Sequence, residues 1–598
     1  MKRSDEAQVW LWSGLFGFLT SIFFIFGYQL EKTDHIDLSD RNSLMLFVIM
    51  FLVITFDTGH VFKGYDYARK NGKKLFGFIP LPKHCENSVE GDFNVDEPKA
   101  GVTSSACNVD ESKKPVTASA CNVDEPKRVT AAFAEGMGVA LSKRKSYAAD
   151  FVINHVSMII MALPVLIAEF PGFFVYDAQE ELNEVLTRSF STHHPLLHVL
   201  LLGGTIALVH KITGSWNIGI FVYLLLQLIV ITAVFAYVVT YLQSSRMGKK
   251  LRILWLIFYG AFPTIVMYSL CSCKDGLFSA LLLLLTVFLV QLVRDKESFL
   301  ENKKKMILFV ATAVLMPLFR HNGFYAYLVF VPFALAYFRK SLKLLLISML
   351  ILPVVIYLAI SNVLALAFSS EITHHQEMLT VPIMQLARVY SYEPESLSDE
   401  DKEIIESYIP KQNLEKYTPR ISDLVKVDFN NELYEKDSAA FWGVWKKLLK
   451  SHPMAYVNAW LLTCYGYVYP PAAFNVYKGN SVYTFTYDES SYFGYETEPP
   501  GERKVLIPAI DRLYRYLSLG PFYKDHPVLY LLFAPGLYLV IYMFVFAYRL
   551  SKRRYDRVLP FLPMILCFCT VLLGPTYLIR YVLYLWLCLP LLTIPSFD

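Results

Sequence analysis

Four short stretches of the chain carry side chains able to do chemistry. The first reads PGFFVYDAQEELNEVLTRSFSTHHPLLH and offers Asp177, Glu180 and Glu181, then His193 and His194. Asp177 follows a Pro171-Gly172 helix stop by a few residues. That places it just beyond the end of an apolar block, where a carboxylate can take a proton from a hydroxyl. The plain alternative is a solvated loop acid at a helix start, favoured by the helix dipole. Glu180 and Glu181 sit on the same turn with a weaker case. His193 and His194 are polar substrate contacts or merely the lead-in to the next helix. The second stretch is Lys274-Asp275, between two apolar blocks. Ionisable groups are costly at membrane depth and tend to be functional there, although both lie near enough to a block end to snorkel. The third is Arg320-His321-Asn322-Gly323, flanked by apolar blocks of about 15–17 residues. A full bilayer crossing needs about 20, so this turn is expected to be recessed. An arginine in such a recess suits a phosphate clamp, with His321 as a neighbouring contact. The fourth is Arg580 at the start of the last apolar block, a second phosphate contact or a snorkelling cation.

If these stretches share one face, carboxylates (Asp177, Asp275) and cations (Lys274, Arg320, Arg580) meet there. A phosphate-linked donor needs cations for its leaving group, and a hydroxyl acceptor needs a base. The combination suits group transfer from a lipid phosphate.

The elements that must position these residues follow from composition. Of 598 residues, 55% are hydrophobic and 18% charged, and the mean hydropathy is +0.38. Soluble domains average about 25% charged. The apolar residues fall in nearly charge-free blocks at 9–30, 43–62, 151–170, 216–242, 252–270, 276–293, 306–320, 322–338, 342–366, 527–549, 557–574 and 577–595. Many approach the ~20 residues of a membrane-spanning helix. The expected fold is therefore an all-α polytopic membrane protein, which excludes a soluble enzyme, a nucleic-acid-binding domain and a disordered chain. The first block, Val9 to Leu30, is too long for a signal-peptide core and no A-x-A-like site follows it, so no cleavable signal is expected. Nine scattered cysteines do not make a disulfide scaffold, and Cys271-Ser272-Cys273 reads as packing rather than a metal site.

Lysines and arginines cluster at 246–252, 294–305, 339–343 and 549–557, and at Lys2 and Arg3. Positive loops face the cytoplasm. A further apolar stretch at 195–212 contains His198, Gly203, Gly204 and His210. Were it to cross, the later clusters would fall opposite the N-terminus. Laid flat on the outer surface, it leaves twelve crossings of the plasma membrane, with both termini cytoplasmic. The expected layout is two N-terminal crossings (1–62), a cytoplasmic loop (63–150), a transmembrane module (151–368) with a first outer loop at 171–215, an α-rich extracytoplasmic domain (369–526) and three C-terminal crossings (527–598). Helices are expected near Val381–Tyr390, Asp399–Ile409 and Ala439–Leu449. The cytoplasmic loop holds three 14-residue copies at 93–134, FNVDEPKAGVTSSA, CNVDESKKPVTASA and CNVDEPKRVTAAFA. Each has too few apolar residues to bury a face, so disorder is expected.

The order of features, a crossing, then PGFFVYD, then HHPLLHVLLL leading to a surface helix, resembles the GT-C membrane glycosyltransferases that use polyprenyl-phosphate sugars. The segments SCKDGLFS, FRHNGFYAY, LTVPIMQLARVY, YTPRISDLVK, GYVYPPAAF and LIRYVLY also resemble an uncharacterised family of bacterial multi-pass membrane proteins. The GT-C resemblance implies a sugar donor on polyprenyl phosphate and an acceptor on the outer face. It implies Asp177 as catalytic base, Asp275 as the acid of the second outer loop, and Arg320 and Arg580 as phosphate contacts. Some of those enzymes carry adjacent acids in the first loop; here the run is Asp177-Ala178-Gln179-Glu180, which leaves a divalent metal possible but not required. The alternative readings are a transporter or flippase of lipid-linked glycans, and a non-catalytic envelope assembly factor. Charge kept almost wholly at helix ends counts against transport.

Overall fold

The computed structural model describes residues 3–71, 125–245, 247–341, 343–368, 375–472, 497–518 and 522–594. Among them every regular element is helical, with only isolated bridges between extended residues. The first helices are α1 (Arg3–Thr33), α2 (Arg41–Lys70) and α3 (Glu125–Ala168). The chain divides into two compact units, Gly64–Asp150 and a larger one of Met1–Lys63 with Phe151–Asp598. The smaller unit holds the end of α2 and the start of α3. The repeat lies outside the described residues up to 124, and residues 125–134 form the start of α3.

In the larger unit there follow α4 (Ala178–Thr187), α5 (Leu196–Thr213), α6 (Trp216–Ser244), α7 (Lys249–Ala261), α8 (Pro263–Ser269), α9 (Asp275–Arg294), α10 (Lys296–Glu301), α11 (Lys303–Phe319), α12 (Asn322–Phe338) and α13 (Leu344–Ala367). Seven described helices, α5 among them, are long and apolar enough to cross a membrane; the number is nine if two bent pairs each count once. The protein is thus an all-α membrane protein. Each of the twelve expected apolar blocks is wholly or largely helical.

The bends have a local cause. A proline pushes the preceding residue out of the helical region, and Phe262 and Ala534 are both extended before Pro263 and Pro535. The α7–α8 pair bends by 48° there, and Pro527–Phe533 with Pro535–Ser551 by 71°. In α9, 83% of the apolar window is buried, against 11% in α2. Helix α9 is therefore the axis of the bundle, packed by α6 and α11, while α2 lies at its edge.

Residues 379–456 build a second, smaller core around Ile383, Leu386, Ile405, Tyr408, Phe441 and Tyr456. Its helices Thr380–Tyr392, Asp399–Tyr408 and Ser438–Ser451 fall where the sequence places them. Two are started by caps: Ser398 Oγ accepts from Asp401 N at 3.2 Å, and Asp437 Oδ1 accepts from Ala440 N at 3.1 Å. Arg388 and Arg420 fasten this segment to the end of α1. Arg388 donates to the Asp34 carbonyl at 2.7 Å, and Arg420 pairs with the Asp34 carboxylate at 3.2 Å.

Candidate functional site

Two loops that precede helices are stitched to each other. Phe173 N donates to Leu270 O at 3.2 Å, Ser272 N to Phe173 O at 2.9 Å, and Val175 N to Ser272 Oγ at 3.2 Å. The first loop turns at Gly172, whose φ of +111° excludes ordinary side chains and whose Cβ position lies 2.3 Å from Leu224. It turns again at Tyr176, held at φ +63°, a conformation costly for a bulky residue. The stitched loops bring Asp177, at the start of α4, against Lys274, at the start of α9.

The Lys274 ammonium sits between three acceptors. It donates to Asp177 Oδ2 at 2.7 Å and His194 Nδ1 at 3.1 Å, and lies 3.5 Å from Glu181 Oε1. His194 then presents Nε2 to Glu180 at 3.3 Å. Burial alone would raise the Asp177 pKa, but Arg580, Lys274 and His194 outweigh it and hold the carboxyl well below its ordinary range. Burial likewise opposes the charge on Lys274, and Asp177 and Glu181 overcome it and raise its pKa. Asp177, Glu181 and His194 have ligand atoms close enough together to hold a metal ion. The ammonium already fills that place, within 3.5 Å of all three. These residues do not fit a divalent cation while Lys274 is present, because a second positive charge at that spacing would be strongly repelled.

Behind Lys274, the wholly buried Asp275 pairs through Oδ1 with Arg320, and its Oδ2 lies 3.7 Å from Arg580. Arg580 reaches Asp177 Oδ2 at 3.3 Å as well, so one guanidinium bridges both aspartates. Aromatic faces hold the two arginines flat: Arg320 over Tyr581 at 4.2 Å, and Arg580 over Tyr176 at 4.2 Å. Asp275 opens α9, where the helix dipole favours its charge.

Lys274, Arg320 and Arg580 line one cavity of about 860 Å³ with Asp177, Glu180, His193 and His321. Asp275 and His194 stand directly behind its wall. With Glu181, which lies against Lys274 and His194, all ten residues singled out from the sequence therefore gather at one place. The far wall comes from Glu377, from Asp423 and Lys426 of the 379–456 segment, and from Glu498. Lys426 is held by Glu377 at 2.6 Å and Asp423 at 3.2 Å. Burial, with Asp177 and Glu180 nearby, pushes the Glu498 carboxyl up to about 8.

A polar chain supports the site from within the bundle. Gln227 donates both amide hydrogens, to Ser269 O at 3.1 Å and Cys271 O at 2.7 Å. Its carbonyl accepts from Tyr223 OH at 3.1 Å, and Tyr223 OH lies 2.9 Å from His198 Nε2. With the tyrosine hydrogen committed to Gln227, full pairing requires a hydrogen on His198 Nε2. His198 Nδ1 meets the buried Glu181 carboxyl. Sequence reading passes over Tyr223 and Gln227, although two polar residues four apart inside an apolar helix are themselves a signal. His198 stands four residues after His194, on the first turn of the helix that His194 precedes. Glu498, in the loop sequence TEPPGER, gives no signal at all.

A family model described as a family of unknown function (DUF6020) matches residues 183–597, more than half of the chain, and the chain belongs to that family. His194, His198, Lys274, Asp275, Arg320 and Arg580 lie within the match; Asp177, Glu180 and Glu181 lie just before it. No curated protein and no solved structure matches the chain.

Proposed function

For this member of DUF6020 we propose transfer of a sugar from a polyprenyl-phosphate donor to a hydroxyl acceptor on the outer face of the plasma membrane. The observation that carries this reading is the convergence of Lys274, Arg320 and Arg580 on one cavity. With Asp177 and Asp275 as their counter-charges, these five groups together carry a net charge of +1. A phosphodiester donor brings one negative charge, and its departing phosphate gains another. Such developing charge is what preorganised cations stabilise best. Lys274 and Arg580 make Asp177 a weak base. We assign it to holding those two cations and orienting the acceptor hydroxyl, rather than to taking the proton.

The topology that goes with this reading has twelve crossings and both termini in the cytoplasm, with α5 along the outer surface. Its N-terminal end begins at the cavity-lining Pro195. Past its C-terminal end, Asn217 exchanges hydrogen bonds of 2.6 and 2.8 Å with the Glu502 backbone. Glu502 is four residues from the cavity-lining Glu498, a reach of at most ~14 Å. A helix of 18 residues is ~27 Å long, so a crossing α5 would hold its two ends farther apart in depth. Segment 379–456 would then cover the cavity and shape the choice of acceptor.

The test measures incorporation of labelled sugar into envelope lipids and polymers by membranes carrying the chain. Asp177→Asn should lower incorporation about 10²–10³-fold, and Arg320→Ala should weaken binding of polyprenyl phosphate. Undiminished incorporation in both variants, at normal protein levels, would remove the proposal and favour a transport or assembly role.

A further inference from the structure

Resting on the transferase reading, we propose that Glu498 is the group that takes the proton from the acceptor hydroxyl. A strap of chain sets it in place. Glu498 N donates to Phe174 O at 2.9 Å, Lys504 N to Phe170 O at 2.7 Å, and Leu506 N to Ala168 O at 3.0 Å. Thr497 Oγ1 adds a bond to Gly172 O at 2.9 Å. The strap thus runs antiparallel to the loop that ends in Asp177. It fixes Glu498 on the cavity wall with a relative exposure of 8%.

Among the described residues no cation pairs with the Glu498 carboxyl. Asp177 and Glu180 face it from the first loop, and Arg580, already committed to Asp177 and Asp275, acts on it more weakly. On its own strap, Arg503 is paired with Glu169 and Asp511. Asp177 is the opposite case, a carboxylate neutralised by two cations. Of the two, the unclamped carboxyl is the stronger base, and its titration near 8 is matched to work at neutral pH.

The step balances. The acceptor O–H proton passes to a Glu498 carboxylate oxygen while the acceptor oxygen forms a bond to the sugar's anomeric carbon. The bond from that carbon to the phosphate oxygen breaks, and its electron pair leaves with polyprenyl phosphate. That phosphate gains one negative charge against Arg320, Arg580 and Lys274. The protonated Glu498 then returns its proton to water in the cavity.

The experiment compares the wild-type chain, Glu498→Gln and Glu498→Asp in proteoliposomes. It follows sugar release from polyprenyl-phosphate sugars between pH 6 and 9. Wild type should speed up with rising pH as Glu498 loses its proton. Glu498→Gln should be about 10²-fold slower or worse and lose that limb, with polyprenyl-phosphate affinity unchanged; Glu498→Asp should keep the limb at reduced rate. A second readout does not depend on transfer. Because the folded chain keeps this proton above the ordinary glutamate range, stability from Glu498 should fall as pH rises from about 4.3 towards 8. Thermal unfolding of Glu498→Gln should show less of that fall. An active wild type with an unaltered Glu498→Gln rate and pH profile overturns the role of Glu498 alone. An inactive wild type overturns the transferase reading and this role with it. Equal pH dependence of unfolding in both chains overturns the raised titration itself.

Discussion

At the scale of single residues, the decisive one is Lys274. Two carboxylates and an imidazole meet at metal-ligand spacing, and the lysine ammonium stands where the ion would go. A covalently tethered cation cannot be lost to dilution or to a chelator, and its three hydrogens match three acceptors. Replacing it by an apolar residue of similar length removes the cation that Asp177 and Glu181 share, leaving Asp177 to Arg580 and Glu181 to His198. Lys274→Met should therefore acquire affinity for Mn²⁺, measurable by electron paramagnetic resonance, while the wild-type chain shows none at this site. A wild-type chain that binds Mn²⁺ through Asp177, Glu181 and His194 would show that the ammonium yields its place. The arginines differ in kind from the lysine: each lies on an aromatic face and presents a planar fork, the form suited to a phosphate.

At the scale of elements, the site depends on how closely α9 starts beside α8. Gly276 permits that approach, since a Cβ there would stand 2.6 Å from the Tyr268 carbonyl oxygen, a backbone atom that cannot swing aside. Gly276→Ala should cost about 1–3 kcal/mol of stability, the usual range for overpacking, and should shift Lys274 and Asp275 together. Thermal unfolding in detergent checks the first effect. Loss of phosphate-lipid binding without any change in Arg320 or Arg580 checks the second. An alanine variant that unfolds like wild type would mean that the α8–α9 corner is looser than its contacts imply. Gln227 serves the same corner by satisfying two carbonyls at the end of α8 that the bent chain leaves without helical partners.

At the scale of the whole molecule, the question is which helices cross. Helix α5 meets every compositional requirement of a span, yet both of its ends lie near cavity-side groups. We expect a cysteine placed at the exposed Lys211, near the end of α5, to react with a membrane-impermeant maleimide from the same side as one at the exposed Arg188, which precedes α5. A cysteine at the exposed Lys303, at the start of α11, should react only from the other side. Labelling of Arg188→Cys and Lys211→Cys from opposite sides would make α5 a crossing and overturn the twelve-span topology.

The sequence by itself determined much of this protein because hydropathy is a sum over local residues. Blocks of apolar chain without charge declare their helices, and isolated charges at block ends declare themselves as exceptions. Asp177, Lys274, Asp275, Arg320 and Arg580 were legible for that reason. What could not be read was which acid meets which cation, since Asp177 and Arg580 stand 403 residues apart. Only the tertiary structure decided that Lys274 occupies the metal-shaped position, that Arg580 bridges two aspartates, and that Glu498 is delivered by a distant strap. Basicity is a property of surroundings rather than of residue type. Two carboxyls alike in sequence are therefore driven apart by the neighbours that folding supplies, one clamped by cations and the other left among acids.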